Sequence, residues 1–256
     1  MPPPPVRQVS AAALLGAPGG SFGSPTAFGT ASGDYFVGVG YQNRTRYTHL
    51  QDAAFSSGVG FGDPERGLGT ELVLTSFSTV RRTPFSVGSM SVKLHRRIPS
   101  EQLLFAVGAE NPVNWGAVDG GRSVYVTAAK VFVLRESEDA PFGIVSTSFG
   151  LGNGRFRPEA DVVAHRQTVS PFGGIGLRLT PALSTAMDWT GQNLNAGLVL
   201  MPFRDRGLVI EGGLADLTHR AGDGVRFVLS VGFGFNSHVD NRVLSEEDRN
   251  AIIRGS

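Results

Sequence analysis

The chain offers few residue combinations that could do covalent chemistry. A hydrolase would need a nucleophilic serine near a histidine, or two carboxylates beside a base. His49, His165 and His219 fall in predicted loops without a serine at a recognisable spacing, and Ser237-His238 follows the last predicted strand. The run Gly150-Leu-Gly-Asn-Gly154 has the glycines of a phosphate-binding loop but lacks its lysine and helix. We therefore predict no catalytic residue, no enzyme activity, and no bound cofactor or metal ion.

Two adjacent arginine pairs, Arg81-Arg82 and Arg96-Arg97, could bind anionic groups such as those of lipopolysaccharide or polysaccharide. The alternative is that they are solvated loop charges. Across the whole chain, 23 basic residues face 22 acidic residues, for a net charge of +1. This balance gives no electrostatic case for binding nucleic acid.

A third group of polar residues is more informative, because its members interrupt apolar segments at every second position. In strands of a closed barrel, such residues would point into the lumen. They are Arg44, Glu71, Lys93, Glu110, Arg178, Asp188, Glu211 and Arg226. One hypothesis is a constriction that selects small polar or ionic solutes. The other is that these mixed charges pair across the lumen and close it.

The segments that would position these residues have a period of two. In Gly224–Phe235, Phe227, Leu229 and Val231 alternate with Arg226, Ser230 and small residues, which is typical of a strand with one apolar face. About twelve such segments follow one another from Asp34 onward. The sixth, about 122–135, departs from this pattern because both of its faces are apolar.

Composition also favours a barrel that crosses a membrane. The mean hydropathy is −0.01, and no run approaches the roughly 18 apolar residues that a membrane-spanning helix needs. A lipid-facing barrel keeps its mean hydropathy near zero because every second residue points inward. The absence of cysteine excludes a disulfide framework.

Connection lengths suggest how such a barrel would be oriented. In outer-membrane barrels, short periplasmic turns alternate with longer external loops. The predicted external connections are 47–51, 80–83, 111–121, 152–169, 190–191 and 216–223, and the two longest of all, 111–121 and 152–169, are among them. With both ends of the barrel on the periplasmic side, the strand number must be even.

We predict three regions along the chain. Residues 1–33, rich in Pro, Gly and Ser, form a flexible leader. Residues 34–236 form the barrel. Residues 237–256 form a tail in which 244–253 could make a short helix.

The stretch Ser170–Phe203 resembles bacterial outer-membrane barrels associated with capsule and exopolysaccharide systems. The resemblance lies in Thr180-Pro181, Asp188-Trp-Thr-Gly191 and Asn195-Ala-Gly-Leu198, with Thr190 in place of the expected acidic residue. The segments 24–29 and 58–64 resemble uncharacterised outer-membrane proteins of cyanobacterial type. The resemblance implies a Gram-negative-type outer membrane, contact with lipid and lipopolysaccharide, and a polysaccharide or periplasmic partner. It leaves homo-oligomers open.

The sequence thus predicts an all-β, transmembrane, antiparallel up-and-down β-barrel of about twelve strands. As function we predict a passive narrow pore for small polar solutes, or an outer-membrane component of a polysaccharide-related system. The alternative is a structural or interaction barrel with a closed lumen. An outer-membrane hydrolase and a soluble β-sandwich rank lower.

Overall fold

The computed structural model describes residues 21–116, 121–135, 140–203, 207–222 and 224–236. These residues form twelve strands and one short α-helix, α1 (Glu159–Val163). The strands are β1 (Asp34–Gln42), β2 (Asp52–Gly62), β3 (Gly69–Ser76), β4 (Gly88–Ile98), β5 (Leu103–Trp115), β6 (Ser123–Val133), β7 (Ile144–Gly152), β8 (Ser170–Arg178), β9 (Leu183–Trp189), β10 (Leu194–Leu200), β11 (Leu208–Ala215) and β12 (Arg226–Asn236). In these residues no helix is long and apolar enough to cross a membrane. The tail 237–256, with its predicted helix, lies outside the described residues.

Every strand pairs antiparallel with its neighbours in sequence, and β1 closes the sheet by pairing with β12. The closing ladder runs from Asp34 opposite Asn236 to Gln42 opposite Val228. Closure leaves no edge strand in the sheet, which is what a sheet surrounded by lipid requires. The predicted twelve-stranded up-and-down barrel is therefore confirmed. The β-sandwich alternative is excluded, because the twelve strands form a single closed sheet.

The connections divide between the two ends of the barrel. At the loop end they are 43–51, 77–87, 116–122, 153–169, 190–193 and 216–225, and at the turn end 63–68, 99–102, 134–143, 179–182 and 201–207. The longest, 153–169, lies at the loop end as predicted. The expected long loop 111–121 is shorter, because a bulge between Met90 and Val92 lets β5 continue its pairing with β4 to Trp115.

Residues 21–33 pass through the interior of the barrel. Residues 22–24 bind Asp188 on β9, Thr30 binds Glu71 on β3, and Phe28 binds Lys93 on β4. One segment can reach these separated strands only from inside. It runs from the loop end, near Asp188, to the turn end, where Ser32 N donates to Gly62 O over 2.8 Å.

The predicted flexible leader differs from the structure at residues 21–33. These residues are hydrogen-bonded to inward-facing side chains, so this part of the chain fills the lumen. We call residues 21–33 the lumen segment. Residues 1–20, the rest of the predicted leader, lie outside the described residues.

Inward and outward faces alternate along the strands. Tyr35, Val37 and Val39 point outward and are 46%, 38% and 50% exposed, whereas Phe36 and Gly38 between them face the lumen. Their partners on β12 share the same face, for example Val231 opposite Val39. The outer wall is therefore mostly apolar and uncovered, which is typical of a barrel that spans a membrane.

Candidate functional site

The lumen holds an ion pair between two of the predicted residues, Glu71 and Lys93, which are direct neighbours across β3 and β4. The ammonium lies 2.8 Å from the carboxylate, and both side chains are mostly buried. The pair also holds the lumen segment. Lys93 Nζ donates to Phe28 O over 2.6 Å, and the Glu71 carboxylate accepts hydrogen bonds from Thr30 N and Thr30 Oγ1 at 3.0 and 3.1 Å.

A second ion pair joins Glu110 on β5 to Arg155, which lies on a 3₁₀ turn (Gly154–Phe156) in the longest loop. Arg155 Nη2 donates to the carboxylate over 2.8 Å, and its Nε makes a second contact with it. Arg155 Nη1 also donates to Gly23 O over 3.1 Å. The sequence analysis missed Arg155, because a loop residue carries no period-two signal that would place it over the lumen.

Asp188 is the principal anchor of the lumen segment. Its side chain is 1% exposed and accepts four hydrogen bonds at the loop end of β9. Phe22 N and Gly23 N donate to Oδ1 over 2.8 and 3.1 Å. Ser24 N and Ser24 Oγ donate to Oδ2 over 2.8 and 2.6 Å. Hydrogen bonds to a charged acceptor are the stronger kind, so this carboxylate fixes residues 22–24 against the barrel wall.

The remaining predicted residues are Glu211, Arg178, Arg226 and Arg44. Glu211 accepts a hydrogen bond from Ser230 Oγ over 3.0 Å. Arg178 and Arg226 are buried at opposite ends of the barrel, Arg178 where β8 ends and Arg226 where β12 begins. Arg44 lies beyond β1 in the loop 43–51 and donates from Nε and Nη2 to Val225 O. Its predicted place in a strand is wrong, because β1 ends at Gln42.

His95 is a further lumen residue that the sequence analysis did not consider. It lies two positions after Lys93 on the same face of β4 and is 3% exposed. Its Nε2 is 2.9 Å from Thr30 O, an acceptor to which the ring nitrogen donates. The parity that it shares with Lys93 was the available signal.

Apolar packing fills two parts of the lumen, one near the turn end and one near the loop end. Ala27 of the lumen segment and Ile144 are completely buried in one cluster, with Leu104, Ala129 and Val131. A second cluster packs Tyr125, Phe156 and Phe172, with the last two rings stacked 4.5 Å apart. These clusters explain why the sixth predicted strand is apolar on both faces, since the inner face of β6 contributes to each of them.

Among the described residues, two interior cavities lie beside the lumen segment. One, of about 390 Å³, is lined by Pro25 and by the ion pairs Glu71 with Lys93 and Glu110 with Arg155. The other, of about 330 Å³, is lined by Phe22 and by Gln42, Asp52, Glu211 and Ser230. The first cavity is lined by residues of β3–β6 and the second by residues of β1, β2, β11 and β12, so they lie side by side across the lumen. Each has one residue of Phe22–Pro25 in its wall, and Phe77 lines both.

Comparisons with known proteins find no matching protein-family model and no matching curated protein. Among solved structures, an outer-membrane channel from Pseudomonas putida F1 aligns with a TM-score of 0.48 and 14% identity, covering 81% of this chain and 97% of its own. Outer-membrane protein Omp33 of Acinetobacter baumannii gives 0.41 and 10%, covering 80% and 98%. The N-terminal β-barrel domain of Pseudomonas aeruginosa OprF gives 0.22 and 8%, covering 80% and 98%. At these low values, the fold assignment rests on the strand pairing of the chain itself.

Proposed function

We propose that this protein is a narrow channel for small polar or ionic solutes in the outer membrane of a Gram-negative-type bacterium, and that the lumen segment is its plug. The apolar outer wall supports the location in a membrane. The observation that carries the channel proposal is a lumen with two cavities and charged side chains in their walls, both bordered by Phe22–Pro25, which Asp188 holds in place. In this proposal the loop end faces outward and the turn end faces the periplasm.

The attachment of the plug favours a removable closure over a permanent one. Its polar contacts with inward side chains are hydrogen bonds. Some are donated by its own backbone, Ser24 or Thr30, and others are donated to its carbonyl oxygens by Lys93, His95 and Arg155. When the segment moves, hydrogen bonds to water can replace these bonds, because both partners can be solvated. Displacing Phe22–Pro25 would enlarge the two cavities that this segment borders.

A closed structural barrel is the second candidate, and the cluster around Ala27 and Ile144 favours it. Ala27 and Ile144 are completely buried, so moving the segment at this depth exposes apolar surface to the lumen. The polysaccharide-related role rests on the motif resemblance in Ser170–Phe203, and neither the contacts nor the comparisons add to it.

Conductance across a planar lipid bilayer separates the two candidates. A plugged channel gives rare openings with the full chain and frequent openings with Asp188→Asn, which weakens the attachment of residues 22–24. Well-folded barrels that carry no current in either form would favour the closed structural barrel and contradict the channel.

A further inference from the structure

The outer wall carries two charged side chains, Arg96 and Lys130. All the remaining outward-facing residues of the twelve described strands are apolar, small, or polar without charge. The arginine pair predicted from the sequence is therefore split by the strand. Arg97 points inward and binds Glu65, with Nη1 2.7 Å from Oε1, whereas Arg96 points outward and is exposed.

The two charges lie close together near the turn end. Arg96 is two residues before the end of β4, and Lys130 is three residues before the end of β6, with β5 between these strands. In register, Arg96 lies opposite Phe105, which lies opposite Ala128, two residues from Lys130. Two strand spacings and a two-residue offset separate their Cα atoms by roughly 12 Å. Side chains of this length can therefore converge on one group between them.

The position of Arg96 and Lys130 near the ends of their strands lowers the free-energy cost of exposing their charges to lipid. A basic residue facing lipid costs about 2 to 4 kcal/mol at the bilayer midplane but about 0 to 1 kcal/mol near the interface. Near the turn end, both side chains can extend towards the head-group region. Charged residues are rare on such walls, and their occurrence as a pair on the same stretch of wall calls for an anionic partner.

An apolar groove of about 510 Å³ begins beside Arg96 on this wall. Its shape follows from one row of the sheet, in which the small Ala128 lies between Phe105 and Phe149 on the neighbouring strands. The two rings are 45% and 61% exposed and form the two sides of a depression over Ala128. Val126 continues the groove towards the middle of the wall. The groove therefore has a basic end at the membrane interface and an apolar body that extends into the lipid region.

We propose that this groove binds one anionic glycerophospholipid, with its phosphate between Arg96 and Lys130 and an acyl chain over Ala128. Charge complementarity selects an anionic head group, and the depth of the two basic residues selects the leaflet at the turn end. The choice of glycerophospholipid over lipopolysaccharide rests on the proposed function, which places the turn end on the periplasmic side.

Native mass spectrometry of the purified, detergent-solubilised full chain tests the site with phosphatidylglycerol, phosphatidylethanolamine of the same acyl chains, and lipid A. We expect one phosphatidylglycerol to be retained at least 10-fold more strongly than either other lipid. The double variant Arg96→Gln with Lys130→Gln should lose at least 10-fold in retention. Arg82→Gln, which removes an exposed charge at the loop end, should leave it unchanged.

A separate variant, Ala128→Leu, tests the apolar groove. It fills the depression over Ala128 without changing either basic residue, and it should also weaken the retention of phosphatidylglycerol. Equal retention by wild type and the double variant would overturn the proposal, as would preference for lipid A or full retention by Ala128→Leu. Heat-modifiable gel migration confirms that each variant is folded. Because this assay requires no ion current, a barrel that binds the lipid yet never conducts would contradict the proposed function alone.

Discussion

Replacing Asp188 by asparagine should release the plug and open the channel. The substitution keeps the shape of the side chain and removes its charge. Asparagine Oδ1 can still accept from Phe22 N and Gly23 N, whereas the new amide NH₂ group faces the two donors of Ser24. Ser24 N cannot bond to this NH₂ group, whereas Ser24 Oγ can accept from it and donate to Trp189 O instead, so at least one of the four bonds is lost.

The size of the effect follows from the type of bond that is lost. A hydrogen bond to a charged group contributes about 1.5 to 3 kcal/mol, so one lost bond weakens the attachment by about 1.5 to 3 kcal/mol. Each 1.4 kcal/mol changes an equilibrium about tenfold, so the lower figure raises the population of the released segment roughly 10-fold. The expected change is in how often the channel opens.

The assay is the fraction of time for which single barrels conduct in a planar lipid bilayer, with Glu211→Gln as the matched control. Glu211 is another lumen carboxylate, and the hydrogen bond it accepts comes from Ser230 of the barrel wall. Its substitution removes the same charge from the same lumen without loosening residues 22–24. An open fraction that is unchanged in Asp188→Asn, or equally raised in Glu211→Gln, would refute the role of Asp188 as the anchor of the plug.

Three further predictions concern the wall, the inner packing and the longest loop. Val231→Arg places a charge on the outward face and should destabilise the barrel in lipid by about 2 to 4 kcal/mol. Ser230→Arg, on the lumen side beside Glu211, should destabilise it less. Equal shifts of the two variants in urea unfolding from vesicles would contradict the assignment of faces. Ile144→Ala removes a completely buried side chain and should cost about 2 to 5 kcal/mol, seen as a lower temperature of heat-modified gel migration, while the outward-facing Val145→Ala should cost clearly less. Hydrogen bonds from Thr168 Oγ1 and Arg166 Nε lower the pKa of Asp161 below its ordinary value of 3.8, so these bonds persist above that value and are lost as the pH falls through the lowered pKa. Pepsin should therefore cleave the 153–169 loop faster only well below pH 3.8, whereas Asp161→Asn should be cleaved rapidly at pH 4 as well.

The barrel was predictable because its dominant signal is local. Alternation such as Tyr35, Val37 and Val39 against Gly38 reports the two faces of each strand without knowledge of its partners. The same parity places Glu71 and Lys93 on one face, and strand order then makes them neighbours. Arg155 could not be found in this way, because its position depends on how the 153–169 loop folds back over the lumen.

The lumen segment shows why composition misled the prediction for residues 21–33. A glycine-rich composition predicts flexibility, but here glycine permits close packing. A Cβ at Gly29 would lie 2.6 Å from the imidazole of His95, and one at Gly23 would lie 2.5 Å from Asn195 Nδ2. A threaded segment needs small residues to fit between inward side chains, and it needs no periodic pattern because both of its faces are enclosed. The same composition is therefore compatible with a flexible leader and with a plug.

Inward-facing groups of the barrel distinguish these two cases better than the segment does. Asp188 is buried on a wall whose neighbouring strands place no basic side chain opposite it, with Gly174 and Asn195 as its partners in register. Besides the electrostatic attraction of Arg155 in the longest loop, a buried carboxylate needs several hydrogen-bond donors, and backbone N–H groups of another segment can supply them. Asp188 on the barrel wall therefore needs hydrogen-bond donors from another segment. The lumen segment supplies them mostly from main-chain N–H groups, which a sequence pattern does not reveal.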